Sequence, residues 1–322
     1  MKSWLALALA AAPAFAPALV SAQALAWVSS EKDAALTLVD LAKQEVVGTV
    51  PTCKRPRHMQ LSPDRKQLLV ACSESSQLDV IDLASRKSVR RIPFGEDPEV
   101  FDLSPDGKTA YVGLEDDGQL AYVDMANGKV TKTVEVGKEP EGVLTANGGK
   151  TVWVTSEVAN LVHAVDVASG KVTNIAVGKR PRRFALTPDG SQLWVTNELD
   201  ASVSILSPKD MKVIGTIKFE VPGARSTDIT PVGITMTRDG KRAFVALGKA
   251  NHVAFVDVAS RKTEKLVLVG KRVWQVALDK AEQRLYAVNG LSDDLTIIDV
   301  PAAKALKTVR VGRVPYMAVL AE

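Results

Sequence analysis

Histidine, cysteine and aromatic side chains are scarce in this 322-residue chain, which has three His, two Cys and 5% Phe, Trp and Tyr together. The three histidines, His58, His163 and His252, stand far apart in sequence and in different repeat units, which argues against a multi-histidine centre; no metal ligand set is expected. No Cys-x-x-Cys-His is present, which excludes covalently attached haem. HExxH, Gly-x-Ser-x-Gly, P-loop and GxGxxG patterns are also missing, so no catalytic residue is assigned by motif. The 41 basic and 37 acidic residues are mixed along the chain, and no basic block with interleaved aromatics marks a nucleic-acid surface. Beyond the N-terminus no stretch approaches the roughly 20 apolar residues of a membrane span. Helical periodicity of useful length is lacking there too.

What is present begins with Lys2 and an apolar run from Trp4 to Val20, ending in Val20-Ser21-Ala22. A positive start, an apolar stretch and small residues at the last and third-last positions describe a secretory signal cut after Ala22, with Ala24 as a second cut point. Pro13 and Pro17 break the run and argue against a membrane anchor. The expected organisation is a signal peptide over 1–22 and one domain over 23–322. Export gives Cys53 and Cys72 an oxidising compartment in which to bridge. The alternative is two unrelated small buried residues.

The rest of the chain repeats. An apolar strand ending in Asp recurs at Asp40, Asp82, Asp124 and Asp166 with a spacing of 42 residues, and again at Asp257 and Asp299. A degenerate copy, Ser204-Ile205-Leu206-Ser207, lies between them and makes seven. The Asp carboxylate suits the amides of the turn that follows it. A Gly-x-x-Pro loop precedes most units, as in Gly95-Glu96-Asp97-Pro98 and Gly178-Lys179-Arg180-Pro181. Turns such as Ser104-Pro105-Asp106-Gly107 and Thr187-Pro188-Asp189-Gly190 combine fixed φ, a local hydrogen bond and a glycine free to take positive φ. Four short apolar strands per period, seven times over, predict an all-β, seven-bladed β-propeller. The chain starts at Leu25-Ala26-Trp27-Val28, a second-strand pattern, and ends at Pro315–Leu320, a first-strand pattern. The last strand is therefore expected to complete the first blade and close the ring.

Tyr111-Val112, Trp153-Val154-Thr155-Ser156 and Trp194-Val195-Thr196-Asn197, set between Pro-Asp-Gly turns and Val-Ile-Asp-type strands, resemble the YVTN-family β-propeller repeat. An exported seven-repeat chain of this size also resembles the propeller proteins associated with PQQ-dependent alcohol catabolism. That resemblance implies a periplasmic accessory protein beside quinoprotein dehydrogenases and transport components, with PQQ a ligand by association. It carries no activity onto any residue.

In such a ring the residue after the inter-blade Pro stands at the mouth of the central channel. That position reads Arg57, Glu99, Glu141, Arg182, Val232, Trp274 and Tyr316, with His58 and Arg183 following in two blades. The loops between second and third strands add an outer ring of Glu31, Glu115, Glu157 and Glu198 on the same face. One reading is a recognition site, in which Arg57 and Arg182 hold an anion while Trp274 and Tyr316 stack on an apolar group. The other is a mouth lined by mutually paired charges. About eight extra residues between Glu220 and Pro231 either cap the channel or form a tolerated surface insertion. The acidic pairs Asp116-Asp117 and Asp293-Asp294 could touch calcium, but paired acids in loops are usually only solvated. The functional expectation is a non-catalytic small-molecule or protein-binding scaffold. Its alternatives are a lactonase-type hydrolase using Glu99, Glu141, Arg182 and His58, or a cofactor-bearing electron-transfer propeller that would be coloured.

Overall fold

The computed structural model describes residues 23–322, so the expected signal segment lies outside the described residues. Seven four-stranded antiparallel sheets stand around a central axis. Six are continuous in sequence. The seventh joins the final strand, Pro315–Ala321, to Leu25–Ser30, Ala35–Asp40 and Glu45–Pro51, with Trp27 opposite Val319. The first and last described strands thus share one sheet, which closes the ring. Among the described residues no helix is long and apolar enough to cross a membrane, and helical structure is limited to three-residue turns such as Glu198–Asp200 and Ser226–Asp228.

The repeat positions account for this architecture. The second strand of each blade carries one bulky residue at the same place: Trp27, Leu69, Tyr111, Trp153, Trp194, Phe244 and Tyr286, all buried. Six of the chain's few aromatics are thereby spent wedging neighbouring blades apart at a constant angle. Each outer strand is exposed or half-buried except at one buried β-branched residue, namely Val50, Ile92, Val134, Ile175, Ile217, Val267 and Val309. Each fits the pleat of a half-buried edge strand. The repeated Asp closes its turn as the sequence suggests: Asp40 Oδ1 accepts from the amides of Ala42 and Lys43 at 2.9 and 2.8 Å, and Asp166 Oδ1 from Ser169 at 2.8 Å. In the degenerate unit the Ser207 hydroxyl takes over, accepting from the Asp210 amide at 3.2 Å.

Cys53 and Cys72 form a disulfide with a Cα–Cα distance of 5.7 Å, joining the loop into the second blade to the end of that blade's second strand. Their separation of 19 residues sets the expected effect of removing the bridge. Replacing both cysteines by alanine should lower the unfolding free energy by about 3 kcal/mol. Urea unfolding of wild type and double variant checks this, and equal midpoints would refute it. The insertion after Phe219 is anchored by Val221 and Ile229, which are buried in the core shared by blades five and six. None of its residues lines the central cavity.

Candidate functional site

Six of the seven inner strands, all but that of blade six, are entered through a loop residue with positive φ. Arg55, Asp97, Glu139, Arg180, Arg272 and Val314 take φ of 53°, 41°, 55°, 55°, 57° and 50°. In blades one, two, three, five and seven the register slips just after the inner strand begins, between Pro56 and Met59 in blade two. The slip releases the next residue from the ladder and lets it turn over the channel. Loop residue and ring residue, two apart, then point at the same mouth.

All twelve residues expected at the mouth belong to one connected set or its immediate margin. Arg57 is ion-paired with Glu99 and stands 3.7 Å from Glu31, its guanidinium 4.4 Å from the centre of the Tyr316 ring. Arg182 pairs with Glu157 and lies 3.1 Å from Glu141 and 3.5 Å from Glu198. Trp274 is covered by Arg272 at 4.3 Å and Arg182 at 5.7 Å. The arginines proposed as anion clamps are therefore held by carboxylates, and the aromatic faces by guanidiniums. Blade six contributes Val232, a buried apolar gap in the charged ring.

Three cations that sequence reasoning missed complete the network. Arg180 Nε lies 2.6 Å from Glu157 and 3.2 Å from Glu198. Arg272 Nη2 donates to Glu198 at 2.9 Å. Arg55 lies 3.5 Å from Glu31 and 3.7 Å from both Asp97 and Glu99. A signal for them existed. The loops read Arg-Pro-Arg into blades two and five and Asp-Pro-Glu and Glu-Pro-Glu into the blades between. Doubly basic columns thus flank doubly acidic ones.

Burial governs the carboxyls. It pushes Glu99 up to about 8, against the pull of Arg57 and with help from Glu141 and Glu115. Burial likewise raises Glu157 to about 8, against Arg182 and with repulsion from Glu141. Glu141 is buried too, but four arginines led by Arg182 overcome its desolvation and hold its carboxyl below the ordinary value. Burial raises Glu115 as well, and charge on Glu141 adds to it. Asp97, Glu99 and Glu115 bring one oxygen each within 4.8 Å of one another, the type of donor a hard cation takes. Glu99 is already committed to Arg57, so protons and guanidiniums supply the countercharge there.

Below the ring lies a cavity of about 290 Å³ inside the channel. Phe101, Phe184, Trp274, Tyr316, Val143 and Ile234 are among its apolar and aromatic lining residues, and His58, Gln60, Asp102, Arg183 and Gln275 are its polar members. Arg183 turns away from the ring arginines into this space. It donates from Nη2 to the Tyr316 hydroxyl and stands 3.7 Å from Glu141, while its buried Nη1 has no hydrogen-bond partner. Asp102 accepts the Gln60 amide at 2.8 Å and the backbone amides of Leu103 and Thr145 at 2.8 and 2.7 Å. That fixes the Gln60 side chain with its carbonyl oxygen free. His58 meets Phe101 edge-on at 5.0 Å, and burial followed by Arg183 depresses its pKa to about 3, leaving a neutral imidazole. Sequence reasoning found His58 and Arg183 but not Gln60, Asp102 or Gln275. These lie deeper on the inner strands, where a polar residue is indistinguishable from a solvated one.

Fold and site together define a seven-bladed β-propeller whose channel is closed above by an arginine–carboxylate ring. Residues 130–318 match the family described as Choice-of-anchor I domain, and the chain belongs to it. Residues 6–100 match the YNCE-like beta-propeller description. No curated protein sequence matches the chain. Among solved structures, a protein of unknown function from Desulfotomaculum acetoxidans DSM 771 is similar with a TM-score of 0.79 at 17% identity, over 92% of this chain and 98% of that one. Kuenenia stuttgartiensis hydrazine synthase gives 0.76 at 22%, over 85% and 91%. Dihydro-heme d1 dehydrogenase NirN, in complex with DHE, gives 0.71 at 14%, over 92% and 75%. At these identities the likeness is one of fold.

Proposed function

We propose that this protein is an exported, non-catalytic binding propeller whose channel cavity takes a small molecule. The observation that carries the reading is a pair of buried polar atoms without hydrogen-bond partners on two residues that line one cavity, Arg183 Nη1 and Gln60 Oε1. The occupant they fit has a flat apolar body, one anionic or carbonyl acceptor for Arg183 and one hydroxyl or amine donor for Gln60. Aromatic walls with a few fixed polar contacts are how small-ligand sites are built. The cavity's other titratable groups are occupied elsewhere: His58 stays neutral, and Asp102 is held by three donors. A periplasmic location is supported by the N-terminal composition and by the buried Cys53–Cys72 bridge.

The resemblance to propellers of PQQ-dependent alcohol catabolism makes a quinoprotein dehydrogenase or its transport component the partner to test. PQQ itself suits the channel poorly. Three carboxylates call for several free cations, whereas Arg57 and Arg182 are already engaged by the ring carboxyls Glu31, Glu99, Glu141, Glu157 and Glu198, and Asp102 shares the cavity. Titration of aromatic monocarboxylates bearing a hydroxyl or amine, with PQQ alongside, is read by the fluorescence of Trp274. Arg183→Met should weaken the monocarboxylates about 10- to 100-fold, the loss of one charge-assisted hydrogen bond. The reading fails if no compound in the panel binds, or if the variant binds them all as tightly as wild type.

A further inference from the structure

The same face carries a second feature, which does not depend on the channel. Among the described residues the four most exposed large apolar side chains are Leu291, Leu268, Leu199 and Val158, at 69%, 64%, 59% and 58%. They belong to four consecutive blades, seven, six, five and four. Three sit at tips of the loops between second and third strands, and Leu268 ends the outer strand Lys262–Leu268 at the same side. Each of two leucine tips is bonded to a lysine tip: the Leu199 amide donates to the Lys179 carbonyl at 3.1 Å, and the Leu291 amide to the Lys271 carbonyl at 3.0 Å. In blade four the Lys138 carbonyl accepts from the hydroxyl of Ser156, two residues before Val158, at 2.8 Å. Lys249 is the exposed tip of blade six. The exposed acids of this face are most numerous on blades two and three, with Glu74, Glu96, Asp116, Asp117 and Glu135, while the arc carries Glu220 after blade five and, at its edge on blade one, Asp33 paired with Arg313 at 2.6 Å.

We infer that the arc over blades four to seven is a docking edge for an anionic lipid surface. A protein interface concentrates its energy in a contiguous buried centre ringed by polar residues. Here each apolar tip is separated from the next by a lysine, and no groove joins them. A fluid lipid interface can close around every tip individually, while the lysines meet the phosphates at headgroup level. The polarity of the face fixes the pose. The molecule leans on blades four to seven with the acidic loops of blades two and three turned away.

The test is co-sedimentation of the purified protein with phosphatidylglycerol vesicles and with phosphatidylcholine vesicles, at low and at physiological salt. Partitioning to the anionic vesicles is expected, weakened by salt, with little to the neutral ones. Lys179→Glu with Lys271→Glu should reduce it by about fivefold or more per lysine. Leu199→Asp with Leu291→Asp should reduce it at least tenfold, while unchanged thermal melting shows that these exposed changes spare the fold. No partitioning to either vesicle overturns the inference, as does equal binding to both lipids or equal binding by the variants. A stoichiometric complex with a protein, lost in these variants while vesicles are ignored, would assign the arc to a protein partner instead and would equally overturn it.

Discussion

Replacing Arg182 by methionine is expected to lower the unfolding free energy at neutral pH by about 3–5 kcal/mol, the usual consequence of leaving buried charge without its partner. Arg182 is 2% exposed, and Glu141, Glu157 and Glu198 all lean on it. Methionine fills much of the same space, so little of the loss comes from a cavity. The deficit is limited by an escape route: without its strongest counterion Glu141 takes up a proton rather than remain a buried anion. That route becomes easier as pH falls, so the gap to wild type should narrow between neutral pH and pH 5. Adding Glu141→Gln to Arg182→Met should recover most of the loss, because removing both members of a buried pair costs far less than removing one. Denaturant unfolding of wild type, single and double variants decides it. An equal loss in single and double variants, or a loss independent of pH, would mean that Arg182 acts by packing alone.

The same residues show how far sequence reading reaches. The fold was legible because its determinants recur in register: a bulky residue on every second strand, a turn-closing Asp, and a Pro-led entry into each inner strand. Seven copies of a weak local signal make a strong one. Ring closure was legible from the mismatch of the two ends, a second-strand pattern at Leu25 and a first-strand pattern at Pro315. Membership of the mouth followed from the repeat as well, since position within the unit fixes position in the ring. What each mouth residue does was not legible, because it depends on which blade stands next to which side chain's reach. Arg182 finds Glu157 of its neighbouring blade, whereas Arg183, one residue on, points down into the channel. Alternation along a strand separates those two faces. Only the closed ring shows that one face meets carboxylates and the other an apolar lumen with Gln60 across it.

The buried carboxyls give the second large effect, a stability that falls as pH rises. Glu99 and Glu157 have folded pKa values of about 8, well above the ordinary carboxylate value. Below that ordinary value both the folded and unfolded chains hold these protons, and the stability they allow is fully present. Between about pH 4.5 and 8 the unfolded chain releases them while the folded chain keeps them, so unfolding becomes progressively easier. Each unit of displacement is worth about 1.4 kcal/mol, so the two groups together should cost several kcal/mol by pH 8.5. Glu141 works in the opposite sense. Its lowered pKa contributes stability above the ordinary carboxylate range and loses it as the solution becomes acidic. Maximal stability is therefore expected near pH 5, with decline on both sides. Glu99→Gln and Glu157→Gln together should flatten the alkaline arm and leave the acid arm in place, as read by melting temperature against pH. A wild-type profile level from pH 5 to 8.5, or an alkaline arm that survives both substitutions, would place these carboxyls in the ionised state. The mouth would then carry a permanent excess of negative charge above the cavity, and a ligand reaching Arg183 would have to be neutral where it passes the ring.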